Sequence, residues 1–239
     1  MPPPGKKERA GPVKLARGEV AGVRLSGPER SLLQFAQDRF GEHLTRFLLS
    51  GLGEGHVARC RLFIISFADG DGGLVSRRLH VEADDLTPEI TTSLPCGRDP
   101  LVLLALLRLL TRAQGKPPAS LFYNSREVLS LLGWADSAAT RLAVDEAVDR
   151  YSCVSYWWTL SKKETAGRKL SFYRSRERFV VGYGLLDAEE EGTRMERVSN
   201  RVDFSAAFID GLERRTLFGV IWDNVLTLKV RRMPGRSAR

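Results

Sequence analysis

Lys162, Lys163, Arg168 and Lys169 surround Gly167 in one polar stretch, and Arg174, Arg176 and Arg178 follow at two-residue steps. Permanent positive charge in such a block suits a polyanion, because each Lys or Arg that meets a phosphate releases condensed counterions. Alternation along an extended strand would place the three arginines on one face, where the plain alternative is a solvated sheet face with ordinary surface pairs. A second set stands upstream: Asn124, Ser125 and Arg126, then Ser137, Thr140 and Arg141. Asn and Ser suit the caps of two successive helices. An arginine there can bind guanine O6 and N7 bidentately, whereas Ser and Thr discriminate poorly among bases. Asn124, Ser125, Arg126, Ser137, Thr140, Arg141, Lys162, Lys163, Arg168, Lys169, Arg174 and Arg176 are therefore the candidate DNA-contacting residues. The second helix continues with Asp145, Glu146 and Asp149 against Arg150, which argues against deep insertion along its length.

The chain has 239 residues and a net charge of +8, from 37 Lys and Arg against 29 Asp and Glu. The excess is segregated. Residues 1–30 carry seven cations and three acids, residues 151–182 seven and two, and residues 229–239 five and none. Basic tails are often only solvated. The internal block is different, because its cations alternate with aromatics in a strand pattern. Trp157 and Trp158 are adjacent and so point to opposite faces of a strand, which makes at least one of them core rather than a base-stacking platform.

Hydrophobic residues at 43% and charged residues at 28% are globular values and exclude a wholly disordered chain. Cys60, Cys96 and Cys153 form neither a disulfide framework nor a CxxC pair, which points to a reducing cytoplasm. The apolar run from Leu101 to Leu110 is shorter than the roughly 20 residues a membrane span needs. No GxxxxGK[ST] is present, and Gly51-Leu-Gly-Glu-Gly-His lacks the last glycine of a dinucleotide fingerprint. Asp69-Gly-Asp-Gly-Gly opens like a calcium loop, but His80 stands where the bidentate Glu belongs. His43, His56 and His80 are isolated, and the clusters Asp84-Asp85 and Glu189–Glu191 read as solvated loops. The expectation is a binding protein with no catalytic residue, no metal and no cofactor.

Periodicity supplies the elements that must hold these residues. Residues 1–28 are rich in Pro and Gly and read as a flexible basic arm. From Ser31 the apolar spacing is helical, with Gly41 interrupting it. Arg61–Phe67 and Leu74–Val81 flank a Gly- and Asp-rich turn and predict a hairpin. Asp99 is the expected cap of a buried helix that has a proline in its first turn. Asn124 or Ser125 should cap a helix ending at Gly133, and Ser137 a second with Leu142, Ala143, Val144, Ala147 and Val148 on its apolar face. Tyr151–Leu160 and Leu170–Val181 should be the strands of a hairpin. Helix, turn, helix and basic hairpin is the order of a winged helix. The fold class expected is α+β, a winged helix over 29–228 with an N-terminal helix and β-hairpin extension, followed by a basic tail over 229–239.

The stretch Leu94-Pro-Cys-Gly-Arg-Asp-Pro-Leu-Val-Leu-Leu-Ala-Leu resembles the entry into the apolar helix of RepA-type plasmid replication initiators. The similarity runs on through Phe122–Trp134, the 137–150 helix, Phe172-Tyr-Arg-Ser, Gly184-Leu-Leu-Asp and Val202–Leu212. It implies binding of repeats at an origin in double-stranded DNA, a homodimer, recruitment of host replication proteins, and no membrane. It also implies a second winged helix after Leu228, where this sequence has only Lys229–Arg239. Two other readings stay open on the residues alone: a winged-helix module for protein–protein assembly, and a transcriptional repressor.

Overall fold

The computed structural model describes residues 19–55, 60–68, 74–84, 93–112, 117–163, 169–188, 196–213, 216–217, 220–221 and 228–230. Its first element is a short ladder of β1 (Glu19–Val20) against β2 (Val23–Arg24), turned by Ala21 and Gly22 at φ 53° and 78°. Val20 and Leu25 are buried, so packed structure begins before residue 28, where the sequence suggested the arm would end. Residues 1–18 of that arm lie outside the described residues. Ser26 caps α1 (Gly27–Phe40) in a capping box: its hydroxyl accepts the Glu29 N–H and the Glu29 carboxylate accepts the Ser26 N–H. Gly41 at φ 83° breaks the helix, and α2 (Glu42–Leu48) follows.

β3 (Cys60–Ala68) and β4 (Leu74–Ala83) form the expected antiparallel hairpin. Next comes α3 (Asp99–Leu110), in which every residue except Arg108 is buried. A helix apolar on all sides must lie at the centre of its domain, and α3 packs against α1, α2 and the two helices that follow it. Asp99 is not its cap. Arg98 holds that position, and the Asp99 carboxylate instead accepts the Cys96 N–H and a two-pronged bond from Arg150, at 2.7 and 2.9 Å.

β5 (Ser120–Tyr123) leads into α4 (Ser125–Leu132), capped by Asn124 and ended by Gly133 in the left-handed region at φ 68°. A side chain at Gly133 would also meet Pro28 Cγ at 2.5 Å. α5 (Ala138–Ser152) buries Val144, Ala147, Val148 and Tyr151. Leu142, expected on that face, is 57% exposed, since two residues before Val144 is about 200° round the helix. Tyr151, expected to open a strand, completes the helical stripe. β6 (Val154–Lys163), β7 (Lys169–Glu177), β8 (Val180–Ala188) and β9 (Glu196–Phe204) then lead to α6 (Ala206–Glu213). β10 (Thr216–Leu217) pairs with β11 (Val220–Ile221), and β12 (Leu228–Val230) pairs with β3.

The architecture is α+β with small antiparallel sheets, and β6 and β7 pair as the expected hairpin, which joins a larger sheet. β6 pairs with β4 over ten residue pairs, so the β6–β7 hairpin extends a five-stranded sheet in the order β12-β3-β4-β6-β7. β5 pairs with β9, and β8 closes a separate three-stranded sheet. The strand predicted over 170–181 therefore breaks after Glu177. Phe179 leaves the sheet for the core, 1% exposed, stacked on Tyr156 at 3.8 Å and on Phe208 at 4.1 Å. The chain changes sheets there.

Glu29 ties the helices together. Its carboxylate is fully buried and accepts from Ser26 N–H, from Trp134 Nε1 at 3.1 Å and from Arg98. Burial alone would push its pKa up, but the Ser26 and Trp134 hydrogen bonds and the Arg98 charge outweigh it and hold the carboxyl below its ordinary range. Stability from this group is fully present above that range and is lost as pH falls through the depressed value. Glu29→Gln should lower the unfolding free energy by ~2 kcal/mol at neutral pH. Urea melts in an acid series should also show a shallower pH dependence in the variant than in wild type.

Candidate nucleic-acid interface

The turn 133–137 sets α5 across α4, and both helices start on exposed caps. Asn124 Oδ1 accepts the Arg126 N–H at 2.9 Å, and Glu127 returns a bond to the Asn124 N–H. Ser137 Oγ accepts the Thr140 N–H, and Thr140 Oγ1 accepts the Ser137 N–H at 3.1 Å while bonding Ala135 O at 2.6 Å. Asn124, Ser137 and Thr140 thus build the helix starts on which the arginines stand. Ser125 lies inside, 7% exposed, and its hydroxyl accepts from Asn200 Nδ2 at 2.9 Å.

Arg126 and Arg141 are the cations at these two helix starts. Arg126 comes from the first turn of α4 and Arg141 from the fourth residue of α5, yet both reach Asp136. Arg126 Nε donates to Oδ2 at 3.1 Å and Arg141 Nε to Oδ1 at 2.5 Å. The side chains are 63% and 43% exposed. The Arg141 hydrogen bond above all, with the charges of both arginines, holds the Asp136 carboxyl below its ordinary range. Asp136 was not among the residues picked from sequence. Its signal was a lone acid beside a cap, ten residues after one arginine and five before another.

Beyond its first turn α5 turns acidic. Asp145, Glu146 and Asp149 follow, and Arg150 lies 3.6 Å from Glu146 while committed to Asp99. Tyr183 of β8 stands beside this face, its phenol pKa raised by burial and then by the Asp149 charge it bonds. Negative charge disfavours phosphate at this end of the helix, so on α4 and α5 the more exposed cations stand at the helix starts.

The other candidates belong to the five-stranded sheet. Lys163 pairs with Lys169 and Lys162 with Leu170, next to the β6–β7 connection. Arg168 lies outside the described residues. Arg174 pairs with Thr159, which pairs with Arg78, which pairs with Ile64, which pairs with Lys229. Arg176, Trp157 and His80 form the adjacent row on the same face. Register therefore adds Arg78 and Lys229 to the row begun by Arg174, from segments distant in sequence. Trp158 and Tyr156 stand two residues apart in β6 and so take the same side of the strand, opposite to Trp157. Arg178, expected beside Arg174 and Arg176, lies beyond the end of β7 and binds Asp84 at 2.7 Å.

Among the described residues no group of His, Cys, Asp and Glu is placed to hold a metal, and no helix is long and apolar enough to cross a membrane. No protein-family model matches the sequence, and no curated protein matches it at a significant level. Solved structures do. A crystal structure of RctB domains 2-3 is 16% identical with a TM-score of 0.44, covering 69% of this chain and 57% of that one. A selenomethionine derivative of RctB domains 2 and 3 is 15% identical with a TM-score of 0.46, covering 69% and 60%. The chain thus spans less than two thirds of either, and the likeness is one of partial chain path. Neither singles out the RepA-type family.

Ser137→Ala, which removes the α5 cap, is expected to lower stability by ~1 kcal/mol in urea unfolding. Arg141→Ala, at an exposed pair, should change it by less than ~0.5 kcal/mol.

Proposed function

We propose that this protein binds duplex DNA as a replication-initiator-type factor, acting by binding rather than by catalysis. The observation that carries the reading is the meeting of Arg126 and Arg141 at the exposed starts of α4 and α5. Helix starts carry partial positive charge and outward N–H groups, so two added guanidinium groups make a surface suited to phosphate and to guanine edges. In this reading α3, β5, α4, α5, β8 and β9 work as a winged helix, because β5 joins the β8–β9 hairpin in one sheet beside the helix-turn-helix. The wing is then β8–β9, and the β6–β7 hairpin with Lys162, Lys163 and Lys169 is a second backbone-contacting arm. The acidic continuation of α5 limits base contact to its first turn, so phosphate contacts supply most of the affinity. Binding of origin repeats as a dimer, with host replication proteins as further partners, completes the proposal.

A second reading, a protein–protein module, is favoured by the same acidic face of α5, where Leu142 is 57% exposed. Fluorescence anisotropy with a random duplex and with the repeated DNA flanking its own gene separates the two. The DNA reading expects binding at about 100 mM salt, with affinity falling steeply as salt rises. Arg126→Ala and Arg141→Ala, and alanine at Lys162 with Lys163, should each reduce the salt slope by about 0.9 per lost phosphate contact. No binding to either duplex would move the assignment to the protein–protein module.

A further inference from the structure

Asp136 is a carboxylate set between two cations that the DNA reading needs. One oxygen serves each guanidinium, and both bonds are made through Nε. At 40% exposure for Asp136 and more for each arginine, water competes for every charge in the trio. Such pairs add little to stability, so geometry is the larger consequence. Two cations beside two helix starts repel each other and the partial positive charge of the helix ends. The Asp136 carboxylate bonds both guanidinium groups and so narrows the rotamers of two long side chains. The carboxylate offsets both repulsions. An arginine carries five N–H donors in a rigid fork, so a bond at Nε sets the plane of the fork without exhausting it. One carboxylate against two guanidinium groups also leaves a net positive charge, smaller than the pair alone would give.

We propose that Asp136 is a positioning residue for DNA recognition, fixing Arg126 and Arg141 as one two-pronged contact and lowering the attraction to phosphate in general. The trio then favours DNA that accepts both prongs over DNA that offers charge alone. This rests on the DNA-binding reading above. A purely structural Asp136 would alter stability and leave the salt slope and the preference among sequences where they are.

The test uses the full chain as wild type, Asp136→Asn and Asp136→Glu. The probes are a random duplex and the tightest duplex that wild type recovers from a randomised pool, each measured between about 50 and 200 mM salt. Asp136→Asn should bind the random duplex severalfold more tightly at the low-salt end, with a slope steeper by up to ~0.9. Its preference for the selected duplex should fall about fivefold or more, the least that losing one well-made bidentate base contact costs. Asp136→Glu, which keeps the charge, should retain the wild-type slope and recover part of the preference. Arg126→Ala should cost less preference in the Asn background than in wild type. An Asn variant with wild-type slope and preference overturns the role of Asp136 and leaves DNA binding standing, whatever its thermal midpoint. A wild type that binds every duplex equally overturns the role as well. A wild type that binds no duplex overturns the DNA reading and this role with it.

Discussion

A carboxylate removed from water must find a full set of donors or cost the fold several kcal/mol, and Glu29 meets that constraint with donors from three places. Ser26 supplies the start of its own helix, Arg98 the entrance to α3, and Trp134 the turn between α4 and α5. The indole follows Gly133 directly, and Gly133 lies against Pro28 at the start of α1, so the end of α4 has one place to go. Asp99, beside Arg98, grips the far end of α5 through Arg150. Arg98 thereby reaches the turn through Glu29 while Asp99 holds the final turn of α5 directly, and the apolar α3 packs against both α4 and α5.

With the helices held, β3 to β9 and β12 divide between two sheets. The β6–β7 hairpin could have paired beside β5, but β4 already offered a strand of matching length, and ten residue pairs form there. β5, four residues long, is left for β9. Phe179 makes the division permanent, because its ring is stacked between Tyr156 of one sheet and Phe208 of α6. Arg178 adds a surface tie to Asp84, beside the end of β4.

The same division sorts the charge. Arg126 and Arg141 sit on the helix-turn-helix, with acids behind them along α5, while Arg78, Arg174, Arg176 and Lys229 share a face of the five-stranded sheet. Each set is small. An extended polyanion that touched both would gain more than either set offers, because counterion release adds with every phosphate met.

Local chemistry was legible in the sequence wherever a residue acts on its own neighbours. A cap at Asn124 or Ser125 and another at Ser137, Gly41 and Gly133 as breaks, the buried helix after Pro100 and the β3–β4 hairpin all follow from spacing and side-chain type. The basic character of 151–182 was equally plain, as were the cations at the two helix starts. Tertiary structure decided what depends on partners far away in the chain. Asp99 had the right type for a cap, but Arg150 took its carboxylate from a distance of 51 residues. Ser125 had the right type for a surface contact, but it faces Asn200. The alternation of Arg174, Arg176 and Arg178 hid the break at Phe179, because a strand pattern records which residues are polar and not which sheet receives them. Asp136 stayed unremarked for the same reason. A lone acid in a turn becomes part of a site only when two helices bring their arginines to it.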